Sequence, residues 1–166
     1  AGQSKYSRAA TRAEWRELML ARAEAGVPLV IGTAGTCGAD ATVDWMFDIT
    51  RELAGELGQS LKIARLYSGQ PAERVIAALR ADRVLPLTPA PGITEAGLSE
   101  MTNIVALAGA EQVQAALATG AEIVICGRTT DTALIAAPAS YTHLTMPTIA
   151  AVYIQAVDVT LEKNTT

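Results

Sequence analysis

Two short polar stretches, each following an apolar run, carry the residue types that can do chemistry. Residues 32–40 form a glycine-spaced turn between an apolar run and a helical pattern. Backbone N–H groups exposed at such a turn, and the dipole of the helix behind it, favour a bound anion. Residues 127–131 offer Arg128, whose guanidinium can grip a carboxylate or phosphate with two hydrogen bonds. Together the two stretches predict an anion site.

The glycine turn also has a purely conformational interpretation. Its spacing, Gly-x-x-Gly-x-x-Gly, matches neither the dinucleotide fingerprint nor a Walker A loop. A strand-to-helix turn needs a positive φ at one or two positions, which glycine supplies without a ligand. Cys37 stands where a helix N-terminus can activate a thiol. The alternative for Cys37, and for Cys126 at another strand end, is a small, buried and inert side chain.

The carboxylates near these stretches are candidates for catalysis and for capping. Asp131 or Asp40 can orient a substrate or act as a general base. Asp40 also stands where an N-cap is expected, and Asp131 lies three residues after Arg128, a spacing that permits a mutual surface pair. Glu111 beside a helix start is better explained by the helix dipole than by base chemistry.

The alternation of apolar strands and amphipathic helices predicts how these residues are positioned. We expect parallel strands at residues 27–31, 61–67, 104–108 and 122–126, and helices at 11–25, 42–57, 94–99 and 110–119, with a further helix starting at Pro71. This order predicts an α/β fold: a doubly wound, Rossmann-like parallel sheet of four or five strands with flanking helices.

In such sheets ligands bind beyond the carboxyl ends of the strands. That rule groups the candidate residues into one crevice, with residues 32–40 and 127–131 as opposing walls. The expected ligand-binding residues are Gly32, Gly35, Thr36, Cys37, Gly38, Ser68, Glu111, Gly127 and Arg128, and the expected catalytic residues are Asp131 and Asp40. No metal site is predicted, and the cofactor is left open.

Composition narrows the class of protein. The 166 residues are 50% apolar and 18% charged, which suits one ordinary folded domain. A net charge of −4 with scattered arginines argues against a nucleic-acid partner, and no apolar run is long enough for a membrane span. Two cysteines without a metal-type spacing make a reducing cytoplasm the default location. The single histidine, His143, is not counted as catalytic, so simple hydrolase chemistry is not expected.

The composition changes abruptly after Ala139. All 13 glycines of the chain precede Ser140, and the residues that follow are rich in threonine. Residues 140–148 resemble the translation of a transposase sequencing adapter. We therefore expect a truncated α/β domain over residues 1–139 and a non-native tail over 140–166. The alternative is a native final strand at residues 150–161.

Three segments resemble the acyclic terpene utilisation AtuA-like family, formerly a domain of unknown function. They are residues 28–45 (PLVIGTAGTCGADATVDW), 83–87 (RVLPL) with the proline-rich residues that follow, and 120–134 (GAEIVICGRTTDTAL). The resemblance covers residues 13–139, and the Gly-Arg-x-x-Asp motif is its most specific part. It implies a cytoplasmic role in bacterial breakdown of acyclic terpenoids or related branched acyl compounds. Family members extend further at both ends, which implies that this chain is a fragment of a larger domain.

Two functions follow as hypotheses. The first is an enzyme, or the ligand-binding half of one, that takes a carboxylate or acyl-CoA-like metabolite; its reaction is not specified. The second is a non-catalytic binding or interaction subunit of a catabolic complex. The partner would be a small anionic molecule in the first case and a pathway enzyme in the second, and a homo-oligomer is compatible with both.

Overall fold

The computed structural model describes residues 2–140 and 153–159, which form a mixed β-sheet between two layers of helices. In chain order the elements are α1 (Arg8–Ala25), β1 (Leu29–Ile31), α2 (Asp40–Leu57), β2 (Leu61–Tyr67), α3 (Ala72–Arg80), α4 (Glu95–Glu100), α5 (Ala110–Ala118), β3 (Ile123–Cys126), α6 (Asp131–Ser140) and β4 (Tyr153–Val159). Among these helices, none is long and apolar enough to cross a membrane.

The sheet has the strand order β1-β3-β2-β4. Strand β3 lies at its centre and pairs in parallel with both neighbours, so that Val124 is opposite Val30 on one side and Ala64 on the other. Strand β4 is antiparallel to β2 and forms one edge. The predicted Rossmann-like α/β class is confirmed, with three parallel strands and one antiparallel edge strand. The carboxyl ends of β1, β2 and β3 therefore meet at one side of the sheet.

Each face of the sheet is covered by its own helices. On one face, α1 and α2 pack over Ile63 and Ile125 and bury Trp15 and Met19. On the other, α5 and α6 pack over Leu66 and its neighbours. Side chains alternate between the two faces along a strand, which is why strands covered on both sides are apolar almost throughout.

Several helix ends follow the local signals in the sequence. Gly26 and Gly58 end α1 and α2 with φ of 65° and 66°, the left-handed conformation that glycine adopts most easily. Helix α1 begins at Arg8, earlier than predicted, because the Ser7 hydroxyl accepts a hydrogen bond from the Ala10 N–H. The prediction that Asp40 is an N-cap is wrong, since Ala39 occupies that position and Asp40 is the first helical residue.

The predicted secondary structure differs from the structure at one strand and one helix. Residues 104–108 do not form a strand; they make isolated bridges, Val105 to Gly69 and Ala108 to Thr129. The physical reason is that this segment bonds the loops beyond the strand ends, with the Ala106 N–H donating to the Ser68 carbonyl and the Ala108 N–H to the Arg128 carbonyl. Helix α6 follows directly after the Gly-Arg-x-x-Asp motif and was not predicted.

Most of the tail, including His143, lies outside the described residues. The described part is β4, which pairs with the whole of β2 from Leu61 opposite Val159 to Tyr67 opposite Tyr153. A strand in this region is what the native alternative for the tail expects. The adapter interpretation concerns the encoding DNA and stays a prediction, as does the proposed division at residue 139.

Candidate functional site

The two predicted walls of the crevice touch each other. A Cβ atom added to Gly38 would lie 2.5 Å from the backbone nitrogen of Arg128, and one added to Gly127 would lie 2.6 Å from the Ser68 Oγ. Only glycine permits so close an approach at these two positions. The strand-end loops thus pack backbone against backbone, and no gap wide enough for a ligand separates Gly38 from Arg128.

Asp40 ties the glycine turn to the end of β2. Its Oδ1 atom accepts hydrogen bonds from the backbone N–H of Ser68 at 3.1 Å and of Gly69 at 2.9 Å. The fully buried Ser68 extends this connection, because its hydroxyl donates to the Arg128 carbonyl at 3.3 Å. Of the predicted site residues, the structure therefore joins Asp40, Ser68 and Arg128 through main-chain contacts that hold three loops together.

A second tie joins the turn after β1 to the turn after β3. The Thr33 hydroxyl accepts from the Thr129 N–H at 3.3 Å and donates to the Thr129 carbonyl at 3.4 Å. The hydroxyl of Thr129 itself is buried and has no hydrogen-bond partner among the described residues. It points at Gly32, where an added Cβ would lie only 2.3 Å away.

Some of the backbone N–H groups of the glycine turn, which were predicted to bind an anion, form hydrogen bonds within the protein. The N–H groups of Ala34, Thr36 and Gly38 donate to the carbonyls of Cys126, Thr33 and Ala34 at 3.0 to 3.1 Å. This network leaves the N–H groups of Thr33, Gly35 and Cys37 outside it. Thr36 adopts a φ of 69°, an uncommon conformation for a β-branched residue. Alternate N–H groups of the turn therefore take part in these internal hydrogen bonds.

A cavity of about 370 Å³ opens on one side of the glycine turn. It lies between the turn, the start of α1 and the start of α2. Its lining residues are Ser4, Tyr6, Ala10, Thr11, Glu14, Ile31, Gly32, Thr33, Gly35, Thr36, Trp45 and Met46. Gly32, Gly35 and Thr36 are the predicted site residues in this wall. The other predicted residues do not line it.

Sequence reasoning missed much of this wall. Residues 2–7 have no periodic pattern, yet Ser4 and Tyr6 line the cavity. Ser4 also packs against the glycine turn, because its Cα would lie 3.4 Å from a Cβ added to Gly35. Trp45 lies seven residues after Gly38, and in the sequence it stands out only as part of the segment that resembles the family. No local signal marks these residues, because their proximity depends on how α1 packs on α2.

The two charged residues of the second predicted wall face solvent. Arg128 and Asp131 are exposed, and in the described part of the chain no ion pair or hydrogen bond joins their side chains. Helix α6 is capped by Thr130, whose hydroxyl accepts from the Ala133 N–H at 3.1 Å. Asp131 then occupies the first turn, where the helix dipole favours a carboxylate. Glu111 occupies the equivalent place in α5.

The two cysteines differ in their surroundings. Cys126 is fully buried under α5 and α6, and burial raises the pKa of its thiol to about 12. Cys37 is half-buried, with its Sγ 3.7 Å from the Thr42 hydroxyl and 3.9 Å from the Gln3 carbonyl oxygen. Cys126 is therefore a core residue, and Cys37 is the more exposed of the two thiols.

A polar cluster under β4 was also not predicted. The Arg65 guanidinium stacks on the ring of Phe47 at 4.3 Å and donates to Asp44 at 2.8 Å and to Gln155 at 2.6 Å. The Tyr67 hydroxyl also donates to Asp44, and burial together with this carboxylate raises the Tyr67 pKa. Arg65 and Tyr67 are two residues apart on a strand, which places them on one face and is the signal that could have identified the cluster.

A second cavity, of about 310 Å³, lies at the opposite end of the sheet. Its two charged lining residues, Arg22 and Glu122, are bonded to each other, and Glu122 also accepts from the Lys62 N–H at 3.1 Å. These side chains serve to join α1 to the sheet. Within the ranges 2–140 and 153–159, no group of three or more His, Cys, Asp or Glu residues is arranged to hold a metal ion.

Comparison with known proteins gives one family. The sequence model of the family described as "Acyclic terpene utilisation family protein AtuA" matches residues 3–144, which include every residue of the cavity wall. No curated protein and no solved structure gives a significant match to the chain.

Proposed function

This chain belongs to the acyclic terpene utilisation AtuA family, and we propose that it binds an anionic metabolite, a carboxylate or acyl-CoA-like compound, in the cavity beside the glycine turn. The family description supports a role in acyclic terpene utilisation. The observation that carries the proposal is that the cavity lies at the carboxyl end of β1 and is walled by Gly32, Gly35 and Thr36.

The cavity wall offers both polar and apolar groups. At the turn, the N–H groups of Thr33 and Gly35 lie outside the internal hydrogen bonds of the loop, and the hydroxyl of Thr36 is exposed. The rest of the wall is mixed: it contains the apolar residues Ile31, Trp45 and Met46 and the polar residues Ser4, Thr11 and Glu14. A branched acyl chain with a terminal carboxylate would place its anion at the turn and its hydrocarbon against the apolar residues of the wall.

For a ligand with a second anionic group, such as an acyl-CoA-like compound, Arg128 is the proposed contact for that group. Its side chain is exposed, and the portion of the chain that the structure describes offers it no carboxylate partner. It does not line the cavity, so it would meet a part of the ligand that extends beyond the turn. In an enzyme, Asp131 or Asp40 would orient that ligand or act as base, and Asp40 would have to do so with its Oδ2 atom because Oδ1 is engaged.

Isothermal titration calorimetry with acyclic terpenoid acids, their CoA thioesters and nucleotides tests the proposal. Thr36→Val removes the hydroxyl at the turn while keeping the side-chain shape, and it should weaken acid binding about three- to tenfold, the usual value of one hydrogen bond. Thr102→Val, at an exposed threonine outside the cavity, is the matched control. Absence of binding to every panel member, or equal affinity in wild type and Thr36→Val, would contradict the proposal.

The second candidate function is a non-catalytic interaction subunit. It is favoured by exposed apolar side chains outside the cavity wall, Leu85 at 79%, Leu87 at 86% and Ile135 at 77% exposure. If these residues dock on a pathway enzyme, Leu87→Asp should abolish co-purification of that enzyme and leave ligand binding intact. A double variant Leu85→Asp, Leu87→Asp that retains the partner would eliminate this role for the loop.

A further inference from the structure

The charge of the cavity wall comes from Glu14. Among the described lining residues, Glu14 is the one charged residue, and neither a lysine nor an arginine is present. The Glu14 carboxylate is exposed and takes part in no ion pair within the described ranges. A ligand that enters the cavity therefore meets hydrogen-bond donors at the turn and a negative charge at α1.

The nearby arginines do not offset this charge. Arg8 donates two hydrogen bonds to Glu52, at 3.0 and 2.8 Å, and Arg12 is bonded to Glu56. Both pairs join α1 to α2. The other two arginines of α1 are also paired, Arg16 with Glu17 and Arg22 with Glu122. Lys5 is the remaining cation of the neighbouring segment, and its exposed side chain lies outside the cavity wall.

We infer that the cavity selects a branched monocarboxylate over the corresponding acyl-CoA, a substrate class that rests on the proposed function and narrows it. One carboxylate can be placed at the glycine turn, where backbone N–H groups hold it. The phosphate groups of a CoA thioester add several negative charges. Arg128, which lies outside the cavity wall, can pair with only one phosphate group, and the others have to lie near Glu14 or in the field of a protein with a net charge of −4.

The test compares two ligands on the full chain by calorimetry: an acyclic branched carboxylic acid and its CoA thioester. The wild type should bind the acid at least about tenfold more tightly. Glu14→Gln should strengthen thioester binding about three- to tenfold and change acid binding much less, so the ratio of the two affinities falls. Raising the salt from about 0.05 M to about 0.5 M should reduce the same ratio in the wild type.

The matched control is Glu17→Gln, on the same helix and outside the cavity wall, where Glu17 is bonded to Arg16 at 3.2 Å. It should leave both affinities at the wild-type values. Equal or tighter binding of the thioester by the wild type, or a ratio that Glu14→Gln does not change, would overturn the inference and leave the proposed function standing. Binding of neither ligand would remove the proposed function together with the inference.

Discussion

The Asp40 carboxylate accepts a hydrogen bond from the Gly69 N–H at 2.9 Å and so connects the start of α2 to the turn after β2. The same oxygen accepts from the Ser68 N–H, and a Cβ on Gly69 would lie 2.3 Å from the other carboxylate oxygen. Asp40, for which the sequence predicts capping or catalysis, thus holds two loops together beside the candidate site.

Removing this carboxylate should destabilise the protein. Asp40→Ala leaves two backbone N–H groups without their acceptor, and the free energy of unfolding should fall by about 2 to 3 kcal/mol. Asp40→Asn keeps one acceptor oxygen and should lose about half as much. Urea unfolding followed by circular dichroism measures both. A stable Asp40→Ala protein would show that the loops do not depend on this bond.

The approach of the glycine turn to Arg128 predicts a large effect at Gly38. Gly38→Ala adds a Cβ 2.5 Å from the Arg128 nitrogen at a φ of 69°, so both strain and overlap oppose folding, and we expect a loss above about 3 kcal/mol. Gly58→Ala is the control, because Gly58 has a similar φ of 66° and nothing within 4 Å of the added Cβ. Its loss should be about 1 to 2 kcal/mol. Thermal unfolding that ranks the two variants equally would refute the contact.

Two buried threonines should respond in opposite ways to the same substitution. The Thr50 hydroxyl accepts from the Trp15 indole N–H at 2.8 Å and donates to the Met46 carbonyl at 2.7 Å. Thr50→Val leaves the buried Trp15 N–H without an acceptor, so the free energy of unfolding should fall by about 1 to 3 kcal/mol. The Thr129 hydroxyl has no described partner, and Thr129→Val should be neutral or slightly stabilising. Chemical unfolding of the two variants decides; a larger loss for Thr129→Val would reveal a bond that its hydroxyl makes.

The buried thiol of Cys126 predicts a loss of stability at alkaline pH. Its pKa is about 12 in the folded protein, compared with 9.0 for an unperturbed thiol. The folded state therefore keeps a proton that the unfolded state releases. This contribution to stability is complete below pH 9 and decreases between pH 9 and about 12, by at most about 1.4 kcal/mol per pH unit.

Cys126→Ala should flatten that part of the stability curve, even though the smaller side chain lowers stability at every pH. The difference in unfolding free energy between wild type and Cys126→Ala, followed from about pH 8 to about pH 10.5, measures the effect. Val113→Ala is the control, because Val113 is fully buried in the same cluster and does not titrate, and it should leave the slope unchanged. A slope that persists without Cys126 would assign the alkaline loss to another group, such as Tyr67, whose pKa is also raised.

The sequence by itself determined the α/β class, strand β2 with its bounds, and the glycines that end α1 and α2. These features depend on local causes: apolar periodicity selects helix or strand, and only glycine reaches the left-handed conformation at low cost. The turns after β1 and β3 were identified as meeting at one side of the sheet for a related reason, since parallel strands all end on the same side.

Only the tertiary structure decided how the turns after β1 and β3 contact each other. The strand order β1-β3-β2-β4 brings the glycine turn into direct contact with Arg128, so the two predicted walls touch at that point. The packing of α1 on α2 places Glu14 and Tyr6 beside the same turn and so creates the cavity on its other side. Residues 104–108, apolar enough for a strand, bond to loops instead. Each of these outcomes depends on which distant segments share space, and local residue patterns carry no information about that choice.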